Sequence, residues 1–203
     1  MAYSGDVRRL LLVAAALAAA ACAPTPADDE ASLHEELESF RSAKDLAFQQ
    51  PDSPVPADRR GAFLPLVYFP PSLEYRVPAV LRVTPDRASI VMPTSTGQQR
   101  TMQHVGTLEF SVKGTSLSLG AFVEEGARDL TRLFVPFTDA TSGTETYPAG
   151  RYLDLELTRT GIYLIDFNRA YNPYCYYNPT YDCPFPPRSN RLQVPIRAGE
   201  KVK

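Results

Sequence analysis

The chain has 203 residues, with 21 Lys and Arg against 23 Asp and Glu, 3 Cys, 2 His and no Trp. A net charge of −2 and scattered single Lys and Arg leave no basic patch, which argues against nucleic-acid binding and against attraction to phosphate-rich polymers. His34 and His104 are the only histidines, so a histidine-based metal centre or relay has little to draw on.

The first element is an address. Arg8 and Arg9 precede the apolar run 10–21, which is too short to cross a bilayer as a helix needing about 20 residues. The run ends in Ala19-Ala20-Ala21, directly before Cys22, and small residues suit the subsites of a signal peptidase. Small residues before a Cys resemble the lipobox of bacterial lipoproteins, with Ala19 where Leu is usual. The resemblance implies that residues 1–21 are a signal peptide and that Cys22 is lipidated, since several acyl chains on one residue give stable anchoring. An ordinary secretory signal cut near Ala21 or Ala23 is the rival reading. Either way the chain is expected to be exported, and with a lipid on Cys22 it is expected in the cell envelope, facing the periplasm or the surface. Residues 22–30, Pro-rich and acidic, read as a tether.

Residues 32–49 carry the period of one amphipathic helix, with Leu33, Leu37, Phe40, Ala43, Ala47 and Phe48 on one face and Ser32 to Glu35 fitting a capping box. Pro51 and Pro54 stop it. From residue 55 the period becomes two. Strands are expected at 64–69, 75–83, 88–92, 104–112, 116–122, 131–137, 152–158, 162–167 and 192–196, with a tight turn at Lys113-Gly114 and another at 159–161. Pro78, Pro136 and Pro195 fall inside these runs and require an edge, a bulge or a strand end. The fold class is therefore mainly β: residues 31–203 form one curled antiparallel barrel or sandwich domain preceded by a helix. Residues 168–190 break the alternation. This loop holds Tyr171, Tyr174, Tyr176, Tyr177 and Tyr181, two Asn-Pro pairs, Cys175 and Cys183.

With Cys22 assigned to lipid, Cys175 and Cys183 remain as a pair, and in an oxidising compartment a disulfide is the default. A ring this small is worth about 2.5 kcal/mol by loop entropy. A metal site would need two more ligands, and neither histidine has the spacing.

The run Asp166-Phe167-Asn168, Asn172-Pro173-Tyr174-Cys175, Cys183-Pro184-Phe185-Pro186-Pro187, Asn190-Arg191-Leu192 and Ala198-Gly199-Glu200-Lys201 resembles a bacterial and archaeal family catalogued as domain of unknown function 1684. Tyr68-Phe69-Pro70, Thr94 to Gly97, Phe137 to Tyr147 and Gly150-Arg151-Tyr152 look like the same family's blocks. The resemblance spans roughly 40–201 and implies kinship without an activity.

Candidate ligand-binding residues are Arg76, Asp139, Glu145, Tyr147, Arg151, Asp166, Asn168, Asn172 and Asn190. Asp139 and Glu145 read as paired carboxylates or, on local chemistry, as an Asx-type turn with Gly143 at positive φ. Arg151 is placed to pair with Asp166, or Arg76 and Arg151 to fork onto a ligand anion. A Ser95/His104/Asp139 triad can be written, but no nucleophile motif, phosphate loop or dinucleotide fingerprint supports it. No cofactor is implied. The expectation is a membrane-anchored envelope lipoprotein binding a small polar ligand or an envelope protein. A hydrolase with its site between loops 139–147 and 166–190 is the first alternative, and a purely structural component the second.

Overall fold

The computed structural model describes residues 26–127, 131–157, 160 and 162–203. The segment expected to be a signal peptide, and Cys22, lie outside the described residues. Residues 33–203 form one compact unit that holds the whole sheet.

Helix α1 spans Pro26–Phe48. Its start precedes the expected capping box because Pro26 suits the first helical position, where no N–H is needed, and Asp29 and Glu30 favour the positive end of the helix dipole. The stretch expected to be a tether is thus helical from residue 26. Leu33, Leu37 and Phe48 are buried as expected, whereas Ala43 and Ala47 face solvent. Between Leu37 and Phe48 the docked face is polar. Arg41 donates to Phe69 O (3.0 Å) and covers the Tyr68 ring, Asp45 accepts from Leu66 N (2.9 Å), and Lys44 reaches Glu200. A one-turn helix, α2 (Arg60–Phe63), follows.

The sheet comprises β1 (Arg76–Val83), β2 (Ser89–Pro93), β3 (Gln99–Val112), β4 (Thr115–Glu124), β5 (Arg132–Phe137), β6 (Arg151–Glu156) and β7 (Tyr163–Asp166). Its order is β6-β5-β4-β3-β1-β7, all antiparallel, with β2 added beside β3. A bridge between Leu157 and Tyr163 brings the two ends together, so the sheet is a nearly closed barrel. Lys113 and Gly114 both take positive φ (50° and 77°), the geometry of the tight hairpin turn that joins β3 to β4. Pro78 lies where β1 pairs only with β7, and Pro136 where β5 pairs only with β6, so neither missing N–H breaks a ladder on two sides.

A bulge at His104–Gly106 changes which way β3 faces. After it, Leu108, Phe110 and Val112 point into the barrel with Leu119, Ala121, Leu133, Val135, Phe137, Leu153, Leu155 and Ile165. Before it, Met102 joins Met92 and Phe122 in a second apolar cluster, against which Phe134 packs.

The runs 64–69 and 192–196 are not strands. The first makes a short bridge to the C-terminus, with Phe69 N–H on Gly199 O (2.9 Å) and Lys201 N–H on Val67 O (2.8 Å). In the second, Pro195 lacks a donor and side chains take the backbone groups of Ile196 instead. Residues 168–190 are not structureless: they hold α3 (Tyr174–Tyr177) and 3-10 turns at Phe167–Arg169 and Arg188–Asn190.

Candidate functional site

Arg151 opens β6 and has no exposed surface. Its guanidinium donates to Asp139 Oδ2 (2.9 Å), Ile196 O (2.8 Å), Ala198 O and Glu200 O (3.2 Å), and lies 5.3 Å from the Phe137 ring centre. Burial pushes its pKa down, and the Asp139 charge opposes that. Asp139 is well engaged on its other oxygen: its Oδ1 accepts from Thr141 N (2.8 Å), Thr141 Oγ1 (2.7 Å) and Ile196 N (3.1 Å). The Asx-type turn with Gly143 at φ 87° is therefore present. The expected Arg151–Asp166 pair is not formed; Asp139 is nearer in the fold and takes the arginine. Glu145 turns outward to Arg197 (2.9 Å), so it does not join Asp139 as a carboxylate pair.

Glu200, which periodicity did not mark, is a further buried charge. It accepts from Tyr177 OH (2.7 Å), Asn172 N (2.7 Å) and Lys44. Asn172 also donates to Lys201 O (3.1 Å). Burial drives the Tyr177 hydroxyl pKa far up, with the Glu200 charge adding to it, so this tyrosine stays a donor. The Ala198-Gly199-Glu200-Lys201 block was the signal available for Glu200. Gly199 has φ 78°, and a Cβ there would sit 2.5 Å from Ala170 O.

Asp166 and Arg76 are register partners on β7 and β1. Asp166 Oδ2 lies 3.7 Å from both Arg76 and Arg169, and Glu36 of α1 bridges the same two arginines. Arg76 above all holds the Glu36 carboxyl below its usual pKa. Asn168 exchanges two hydrogen bonds with Ser72 (3.0 and 2.9 Å) and donates to Asp166. Asn190 does the same with Gly120 (2.7 and 2.8 Å) and donates to Pro136 O. The sequence-derived residues thus fall into separate places, and most are occupied by the chain's own groups.

The triad is not assembled. Ser95 Oγ donates to Tyr181 O, His104 stacks on Phe122, and Asp139 serves Arg151. Among the described residues no three His, Cys, Asp or Glu side chains gather to hold a metal ion, and no helix is long and apolar enough to cross a membrane.

Cys175 and Cys183 correct the expectation of a bridge: both are buried free thiols, not at bonding distance. Cys175 N–H points at Cys183 Sγ (3.3 Å). Tyr152 completes their cluster, with Tyr147, Tyr171 and Tyr181 packed against it. The tyrosines of the loop do not share one core: Tyr171 and Tyr181 pack on the cysteine cluster, Tyr177 is fully buried against Phe48 and Phe63, and Tyr174 is exposed.

One concavity lies apart from these braces. On the outer face of β3–β6, Met102, Phe122 and Phe134 floor a groove of about 390 Å³, walled by Pro184 and rimmed by Arg100, Glu124, Arg132 and Asp154. Its volume falls in the range of small-molecule sites. Arg100 is held by Asp182 O (2.9 Å), whereas Arg132 is exposed and only 3.8 Å from Glu156. A charged hollow of about 350 Å³ adjoins it, sharing Arg132 and Asp154 and reaching Arg76, Asp166 and Arg169.

The profile of the family described as "Protein of unknown function (DUF1684)" matches residues 61–201, and the chain belongs to that family. A solved relative is the uncharacterized protein from gene locus rrnAC0354 of Haloarcula marismortui, known from a solution NMR structure. It is 38% identical, with a TM-score of 0.66 over 86% of this chain and 96% of that one. No curated protein matches.

Proposed function

We propose that the protein is an exported, lipid-anchored envelope protein whose β-domain binds a small amphipathic molecule in the outer-face groove. The observation that carries this reading is the pairing of an apolar floor with a charged rim: Met102, Phe122 and Phe134 below, Arg132 above. Such a site takes an apolar body and orients it by one polar end. Arg132 has the weakest tie of the rim arginines, so a carboxylate is the end group it suits. The anchor rests on Arg8, the run 10–21 and Cys22.

The hydrolase alternative has less behind it. Asp139 and Asp166 each sit against arginines and hold loop amides, so both are engaged by the chain's own groups.

Thermal shift with decanoate, phenylpropanoate, decanol and a neutral sugar tests the groove. Carboxylates should raise Tm by mass action, decanol less, and the sugar not at all. A flat response to both carboxylates overturns the groove reading. Fractionation of Cys22→Ser tests the anchor, since persistent membrane association would refute lipidation.

A further inference from the structure

The cysteine pair is not a passive packing feature. Cys175 lies on α3, and Cys183 lies on a segment stitched to the end of β2. Ser95 N–H donates to Cys183 O, Cys183 N–H donates to Ser95 Oγ (both 3.0 Å), and Phe185 N–H donates to Pro93 O (2.9 Å). Two anchored backbones therefore hold the two cysteines against one another, with Cys175 N–H on Cys183 Sγ at 3.3 Å, while leaving the thiols unbonded. The two residues are nearly buried, at 8% and 7% exposure, behind Tyr147, Tyr152 and Tyr181.

We propose that Cys175 and Cys183 are a reversible peroxide-oxidised dithiol, with Cys175 the attacking sulfur and Cys183 the resolving one. The Cys175 thiolate attacks one oxygen of hydrogen peroxide, the O–O bond breaks, and hydroxide leaves a sulfenic acid on Cys175. The Cys183 sulfur then displaces water from that sulfenic acid and forms the disulfide. In sum, two thiols and one peroxide give one disulfide and two waters. A small dithiol reverses the step by thiol–disulfide exchange.

The roles are set by the surroundings. Hydrogen bonding from Cys183 above all, with Tyr147 adding to it, lowers the Cys175 pKa to about 6 against the cost of burial. The Cys183 thiol, donating to that sulfur, is pushed far up and stays protonated. Among the described residues, the titratable groups facing the pair include Tyr147, Tyr152, Tyr171 and Tyr181 of the cluster, Tyr174 of α3 and Arg100 of β3. Tyr147 is raised to about 12 by burial and by Cys175, and burial raises Tyr152 and Tyr171 as well, so none of these three ionises near neutral pH. The near burial favours a small oxidant over a protein one.

The proposal is independent of the groove reading. Its test uses the full chain, reduced and then exposed to hydrogen peroxide. Mass spectrometry should find a Cys175–Cys183 disulfide that a dithiol reverses. The rate of thiol loss should rise about tenfold from pH 5 to 7 and then level, whereas an ordinary thiol of pKa about 8.5 keeps gaining about tenfold per pH unit there. Dimedone should trap a sulfenic acid on Cys175 in Cys183→Ser, and nothing on Cys183 in Cys175→Ser. Label on Cys183 in the wild type, a rate still climbing through pH 8, or a disulfide already complete and resistant to a dithiol would each overturn the proposal. The wild-type pH profile stands even where a serine variant fails to fold.

Discussion

Two regions of this molecule are rich in charged side chains, and they do opposite things with them. Around Arg151, Asp139 and Glu200 the charges are buried and answered almost entirely by the chain itself. Around Met102, Phe122 and Phe134 the interior is apolar, and the charges stand at its rim with slack partners. A charge that is already satisfied has nothing left to offer a ligand, whereas a dry floor under a loosely held arginine does. Charged clusters in the sequence therefore pointed at the brace, whereas the proposed binding site is the groove.

The sharpest way to break this contrast is to remove the brace. Arg151→Ala leaves Asp139 buried and unpaired and frees the backbone of residues 196–200. The expected loss is about 3–5 kcal/mol, or on the order of 10 °C in Tm for a domain of this size. A loss below about 1 kcal/mol by denaturant titration would show that the pair is not structural and would return Arg151 to the list of ligand contacts. Tyr177→Phe deletes one donor to Glu200 while keeping the ring against Phe48 and Phe63. It should cost about 1.5–3 kcal/mol, because the bond it removes goes to a buried carboxylate.

How much of this was legible beforehand follows from what each residue depends on. Strands β3 and β4 announce themselves because alternation is local, and Lys113-Gly114 names its own turn. The choice of Asp139 over Asp166 as partner of Arg151 depends on where two loops return to the barrel, which no spacing reveals. The docked face of α1 was only half readable: Leu33 and Leu37 follow the period, but Arg41, Lys44 and Asp45 replace the apolar residues that a period-based reading looks for. The groove was hidden by the bulge at His104–Gly106. Met102 and Leu108 share a parity that a regular strand would place on one face, and the bulge sends them to opposite ones.

The groove side of the comparison predicts smaller effects on stability and selective effects on binding. Phe134→Ala removes a partly buried ring from the floor, where it meets Tyr152 edge-on at 4.8 Å. It should lower stability by about 1–2 kcal/mol, less than full burial of the ring would imply. It should also weaken decanoate and decanol alike, since both place carbon on that floor.

Arg132→Ala is the finest test, because its expected effect on folding is the smallest. The side chain is 73% exposed and its ion pair with Glu156 is long, so stability should change by less than about 0.5 kcal/mol. If Arg132 meets a ligand carboxylate at the rim, the variant loses about 1 kcal/mol of binding, a roughly fivefold rise in Kd for decanoate. Decanol, which has no charge to lose, should bind unchanged. Arg82→Ala provides the matched control: Arg82 is equally exposed and paired with Glu109, and it does not line the groove. Equal weakening by both variants would assign the effect to the general field of the protein rather than to a contact. A loss confined to Arg132 and to the carboxylate would fix both the position and the polarity of the bound molecule.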